Sequence, residues 1–239
     1  MNKIIIDNDK LSEIIVDNSD DYDIEIVSDF NLKVSVIDNV IGNIYIHSIN
    51  SNYNGTIDYY LNDNSKLYVN KFSFNDCCNV IENIYLNGIN SYIKYNFSSI
   101  SSYNNNYKMR ILHNNNGTCS YIFNRCIGND KAEVVFDIDS ILEQGNTSCI
   151  MDQNTKIMCF GDVNAKIRPN MYIDEEDVEA RHGSVIGRFS DDDIFYIMSR
   201  GISYKDAVML LIRGFILSNL NLDDERKKEV IDIINNNYK

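Results

Sequence analysis

Apolar and polar positions alternate in short runs along most of the chain, and each run ends at Asn, Asp, Ser or Gly. Between about Asp23 and Pro169 this pattern predicts strands separated by turns, because successive strand side chains point to opposite faces. Ile24-Glu25-Ile26-Val27, Asn43-Ile44-Tyr45-Ile46-His47, Lys66-Leu67-Tyr68-Val69, Tyr92-Ile93-Lys94-Tyr95 and Glu133-Val134-Val135-Phe136 are examples. Almost nothing in this stretch has a helical period. Short strands and frequent turns suit a sandwich, a barrel or a stacked solenoid, and the spacing alone does not choose among them. Asn-rich turns favour a solenoid if they mark repeated left-handed corners, and carry no structural message if they only reflect codon bias.

The pattern changes near Ser190. Ser190 followed by Asp191, Asp192 and Asp193 is a helix start, with acidic residues at the positive end of the helix dipole, and predicts a short helix to about Arg200 with Gly201 as its C-cap. Ser203 caps a second predicted helix, whose apolar stripe is Ala207, Val208, Leu210, Leu211, Phe215 and Ile216. A third, charged helix opens at Leu222-Asp223-Asp224-Glu225 and carries Val230, Ile231, Ile233 and Ile234. The reading is therefore a β domain over residues 1–189 and a helical domain over residues 190–239.

Composition narrows the function. A formal net charge of −13 disfavours broad binding to nucleic acid, which depends on Lys and Arg displacing counterions. No apolar run is long enough to span a bilayer, and the apolar stretch at Ile4-Ile5-Ile6 is too brief for a signal peptide, so a cytoplasmic protein is expected. In that setting the six cysteines are expected to be free thiols. The chain has no Gly-rich phosphate loop opening a helix and no Gly-flanked nucleophilic serine, so neither ATP binding nor hydrolase chemistry is expected. Scattered acids argue against a β-helical glycosidase. A chain that is not an enzyme is the expectation.

The vicinal pair Cys77-Cys78 is too close for a zinc site and reads as one surface and one core thiol. Cys119, Cys126, Cys149 and Cys159 read as small buried hydrophobes, or as sulfide or cluster handlers if their thiolates are accessible. His47 and His113 read as structural histidines. His182 stands apart, after the acidic segment Asp174 to Asp177 and just before the helices: by composition it reads as a surface histidine beside Arg181, and the alternative is a neutral imidazole that ligates iron, with Glu179 as a second ligand or hydrogen-bond partner.

Several motifs in register complete the reading. They are Gln153 to Phe160, Pro169-Asn170-Met171-Tyr172-Ile173, Val178 to Ser184, Phe195-Tyr196, Ser199-Arg200-Gly201-Ile202-Ser203, Asp206-Ala207 and Ile212-Arg213-Gly214-Phe215. In order and spacing this stretch resembles the C-terminal part of the SufB/SufD family of iron–sulfur cluster assembly scaffolds. The resemblance implies a right-handed parallel β-helix, with the terminal helices packed against its end and docking the SufC ATPase. The docking set it implies is Phe195, Tyr196, Arg200, Gly201, Leu211, Arg213, Gly214 and Phe215. It also implies pairing with a SufB-like subunit or a second copy, and a transient iron–sulfur cluster at that junction.

Residue by residue, His182 matches a histidine that the family places near the junction. Ala180 stands where SufD-like chains often have cysteine, Thr155 where SufB-like chains have cysteine, and Gly183 where they have glutamate. The chain is more similar to SufD. Cys149 and Cys159 are the thiols nearest this stretch in sequence and the candidate replacements. The sequence leaves open whether a flavin joins the complex.

Overall fold

The computed structural model describes residues 2–7, 10–49, 52–75 and 77–237. In chain order the strands begin with β1 (Asn2–Ile6), β2 (Leu11–Val16), β3 (Asp21–Ile26), β4 (Phe30–Val36) and β5 (Ile41–Ile49). There follow β6 (Tyr53–Leu61), β7 (Lys66–Asn75), β8 (Cys78–Leu86), β9 (Tyr92–Ser101) and β10 (Asn104–His113). The last are β11 (Cys119–Gly128), β12 (Glu133–Leu142), β13 (Cys149–Cys159), β14 (Asn164–Ile173) and β15 (Val178–Gly187). Three helices end the chain, α1 (Asp191–Met198), α2 (Tyr204–Leu217) and α3 (Asp224–Asn237).

Odd-numbered strands form one parallel sheet and even-numbered strands a second, so each coil contributes one strand to each sheet. This is a parallel β-solenoid followed by a helical segment. Strands extend beyond the predicted limits, from β1 at one end to β15 at the other. The coils also widen: Asn2 stands beside Tyr22, whereas Cys119 stands beside Ile150, so a coil grows from 20 to 31 residues.

Side chains of like position stack into columns between the two sheets. Val16, Val36, Leu61, Leu86, His113, Leu142 and Ile173 form one such column. Ile44, Val69, Tyr95, Ile122, Gln153 and His182 form another, opposite it. The apolar members before His113 and Gln153 belong to one continuous core, while Leu142 and Ile173 belong to a separate small cluster with Cys149 and Met151.

Asparagine at the corners has a structural cause. Asn39, Asn64 and Asn90 have φ of 61°, 53° and 56°, and the corner continues through Gly117 and Ser148 in the same left-handed region. Each donates its backbone N–H to the next coil, as from Asn64 to Ile89 O at 2.8 Å. The Asn64 side chain donates to Asn39 Oδ1 at 3.3 Å, and Asn90 donates to Asn64 Oδ1 at 3.2 Å. Asparagine suits this column because it tolerates a left-handed backbone and bonds to its own kind. At the next rung, a Cβ on Gly117 would strike the Asn90 amide oxygen.

His113 stands in the aliphatic column and is buried, with Nδ1 2.7 Å from Thr118 Oγ1 and Nε2 2.9 Å from Ser120 Oγ. Burial pushes its pKa down to about 4. An unfolded histidine titrates near 6.5, so between these values the unfolded chain binds the extra proton. The stabilising contribution is complete above pH 6.5 and is lost as the pH falls through about 4, a change of roughly 3 kcal/mol. Urea midpoints measured across this range should fall with acidification, and His113→Leu should flatten that slope whatever its effect at neutral pH.

Both predicted helix starts are present. Ser190 accepts from Asp193 N at 3.1 Å and Ser203 from Asp206 N at 3.2 Å. Gly201 is left-handed at φ +85°, three residues past the end of α1. The buried face of α2 differs in phase from the predicted stripe: Ala207, Met209, Ile212 and Ile216 are buried while Leu210 faces solvent. This helix is apolar nearly all round, so its sequence alone leaves its rotation undetermined.

The helices do not cap the solenoid's end. α2 and α3 lie across the outer face of the odd-strand sheet, where Met209, Ile212, Ile216, Val230 and Ile234 pack on Tyr45, Phe72, Phe74, Ile100 and Ile127. Polar ties hold them there. The Ser98 hydroxyl donates to Ile216 O at 3.0 Å, Asn219 Nδ2 donates to Phe97 O at 2.8 Å, and Arg226 reaches Asp23 at 3.4 Å.

Candidate functional site

The last coil forms the candidate site. β15 pairs only with β13, and β14 only with β12, so their outer backbone edges are open at this end of the solenoid among the described residues. Alternation along β15 puts Ala180, His182 and Ser184 on the inward side, beside Met151, Gln153 and Thr155 of β13. Glu179, Arg181 and Gly183 therefore face outward. His182 is exposed and forms the final rung of its column.

Beneath that rung the interior turns polar. Gln153 Nε2 donates to Ser140 Oγ at 2.5 Å, and Asn124 Nδ2 donates to Thr155 Oγ1 at 3.2 Å. Gln153 Oε1 is buried and has no hydrogen-bond partner among the described residues. This polar floor was missed in the sequence, although the signal was present: Gln153 and Thr155 share the inward parity of Met151 and Ile157. Strand alternation also separates the proposed pair, because Glu179 and His182 are three residues apart and lie on opposite faces. Glu179 is not positioned as a second ligand beside His182.

The candidate thiols are also distant. Cys149 lies four residues before Gln153 and Cys159 six after it, about 13 and 20 Å along the strand at ~3.3 Å per residue. Cys149 is buried, 3.2 Å from Thr118 Oγ1, and its Sγ donates to Asn146 O at 3.4 Å and Asn115 O at 3.5 Å. Such a nest of carbonyls suits a thiol acting as donor. Cys159 is half-buried, and burial pushes its pKa up against the opposing effect of Arg188. Cys126 is buried and pushed up to about 11 for the same first reason. Cys77 is exposed and Cys78 buried, as read from the sequence. Among the described residues, no three His, Cys, Asp or Glu side chains gather into a set able to hold a metal ion.

The predicted docking residues divide into two groups. Phe195 and Tyr196 are 73% and 61% exposed on α1, with Arg200 stacked on Tyr196 at 5.2 Å. Exposed aromatic side chains side by side on a helix are costly to leave in water and suit a partner surface. Gly201 and Gly214 are exposed too, and a Cβ at either would meet nothing within 4 Å. By contrast, Leu211, Arg213 and Phe215 are half-buried. The Arg213 side chain binds Asn235 of α3, and Phe215 stands edge-on to Phe189, which packs on Phe160. Arg213 and Phe215 hold the helices to their own fold.

Comparison with known proteins gives consistent matches. The family model described as "SUF system FeS cluster assembly, SufBD core domain" matches residues 26–215, from the end of β3 into α2. The iron–sulfur cluster assembly protein SufD of Bacillus subtilis (strain 168) is 28% identical over 137 residues, 56% of this chain and 31% of that protein. Its namesake in Escherichia coli (strain K12) is 32% identical over 153 residues, 61% of this chain and 36% of that protein. This chain thus matches about a third of the length of each of these relatives.

Proposed function

Because this chain belongs to the SufBD core-domain family, we propose that it acts as a non-catalytic scaffold subunit in SUF iron–sulfur cluster assembly. The observation that carries this reading is the family match across residues 26–215, which takes in the solenoid from the end of β3 onward, α1 and most of α2. The open edges of β14 and β15 supply unpaired backbone groups for a second solenoid, either a SufB-like subunit or another copy. The nascent cluster is cargo at that junction. His182 is this chain's contribution to it, with thiolates supplied by the partner subunit. The exposed aromatic face of α1 docks the SufC ATPase.

A second reading, a module that docks partners without carrying a cluster, is favoured by Ala180 and by the dispersal of Cys149, Cys159 and Glu179 away from His182. The two readings separate in one experiment. This chain, co-expressed with SufC and SufB from the same organism and purified anaerobically, should yield a complex with stoichiometric iron and sulfide that His182→Ala depletes. An iron-free complex would select the docking module. Replacing Phe195 and Tyr196 together by alanine should weaken SufC binding at least about tenfold, since central aromatic anchors dominate interface energies. Calorimetric titration checks this, and an unchanged affinity would move the docking surface off α1.

A further inference from the structure

The charge of this chain is strongly negative, with 35 Asp and Glu against 22 Lys and Arg. One groove departs from that balance. It lies on the outer face of the odd-strand sheet beside the α2–α3 connection, has a volume of about 590 Å³, and includes Lys94, Asn96, Phe123, Arg125, Asn154 and Asn219 in its lining. No carboxylate lines it among the described residues. Asn96, Phe123 and Asn154 stand side by side on β9, β11 and β13 and form its floor. Lys94 precedes Asn96 by two residues on β9 and Arg125 follows Phe123 by two on β11, so the two cations lie on opposite sides of that row.

Neither cation has an ion-pair partner among the described residues. Arg125 is half-buried, stacked on Phe215 at 5.2 Å, and donates only to Phe215 O at 2.9 Å and to the Ser218 hydroxyl. Burial pushes its pKa below the usual arginine value. Asp152, the acid closest in sequence to Asn154, is engaged by Arg181 at 3.2 Å. A partly desolvated guanidinium without a counter-charge, sharing its groove with a second cation and with amides of which Asn96 and Asn219 already donate to Asn70 Oδ1 and Phe97 O, offers the charge-assisted donors that recognise oxyanions.

We infer that this groove binds a small oxyanion, a phosphate or carboxylate group, held by Lys94, Arg125 and the asparagine floor. The site is independent of His182 and of the α1 face. Bound anion would tie the turn at residues 218–221 to three strands at once, and so fix the helices on the sheet.

The test is a titration of the ¹⁵N-labelled full chain with inorganic phosphate, and separately with succinate, at ionic strength held constant with potassium chloride. The side-chain amide signals of Asn96, Asn154 and Asn219 should shift saturably with at least one anion, and the tighter of the two identifies the group. Lys94→Gln and Arg125→Gln should each weaken binding about tenfold or more, the effect of losing one charge-assisted hydrogen bond. Arg125→Gln also loosens the Ser218 turn, so Lys94→Gln is the decisive variant. A response that stays linear with both anions, or that is unchanged in Lys94→Gln, overturns the site.

Discussion

Replacing Glu82 by glutamine should destabilise the protein by about 3–5 kcal/mol, because it strands a buried ammonium inside the solenoid. Lys71 is fully buried, with Nζ 2.5 Å from Glu82 Oε1, and the Tyr95 hydroxyl donates to the same oxygen at 2.8 Å. Burial works to lower the Lys71 pKa, but the Glu82 carboxylate more than offsets it and the net shift is upward. With the folded pKa above 10.5, the stabilising contribution is complete below that value and is lost only as the pH rises through the folded pKa. Neutral pH therefore leaves the pair intact. The companion variant Lys71→Met/Glu82→Leu/Tyr95→Phe should recover most of the loss, since an apolar replacement of a whole buried ionic group is often neutral or better. Urea unfolding of the two variants checks both halves. A Glu82→Gln loss below about 1 kcal/mol would show that the ammonium is hydrated in the fold.

Gly88→Ala should be nearly as damaging, for a steric reason. Gly88 donates its N–H to Leu61 O at 3.0 Å, and a Cβ there would run into the backbone of Asn62 and Asp63 in the preceding coil. Two coils would have to part at that corner, breaking the Gly88 and Asn87 bonds to Leu61, and a cost of about 3 kcal/mol or more is expected. Gly55→Ala is the control. There the three atoms nearest a Cβ all belong to the Phe30 ring, a side chain rather than backbone, so the loss should be smaller. Equal losses at the two glycines, measured by denaturant unfolding, would contradict this account of the corner.

Much of the fold was legible because its signals are local. Alternation such as Leu67-Tyr68-Val69 marks a strand wherever it pairs, and Ser190 and Ser203 cap their helices through bonds that span three residues. The asparagine corners were ambiguous for a physical reason: their role depends on the neighbouring coil, as the Asn39, Asn64 and Asn90 ladder shows. β1 and β2 were missed because Ile4-Ile5-Ile6 and Ile14-Ile15-Val16 are unbroken apolar runs without clear alternation. The candidate site was only half readable. His182 stood out by its motif, but its separation from Glu179 depends on β15 being a strand, which the motif alone does not specify. Lys71 and Glu82 gave no warning at all, since charged residues in alternating strands ordinarily face water.

The widening coil has a consequence for self-association. β1 and β2 span five and six residues, while β14 and β15 span ten each. Were copies to stack head to tail, the narrow end of one would leave about half of each ladder on the broad end of the next unsatisfied. A heterologous contact that repeats without closing is how fibres grow. The taper between these two ladders makes each such step a poor fit.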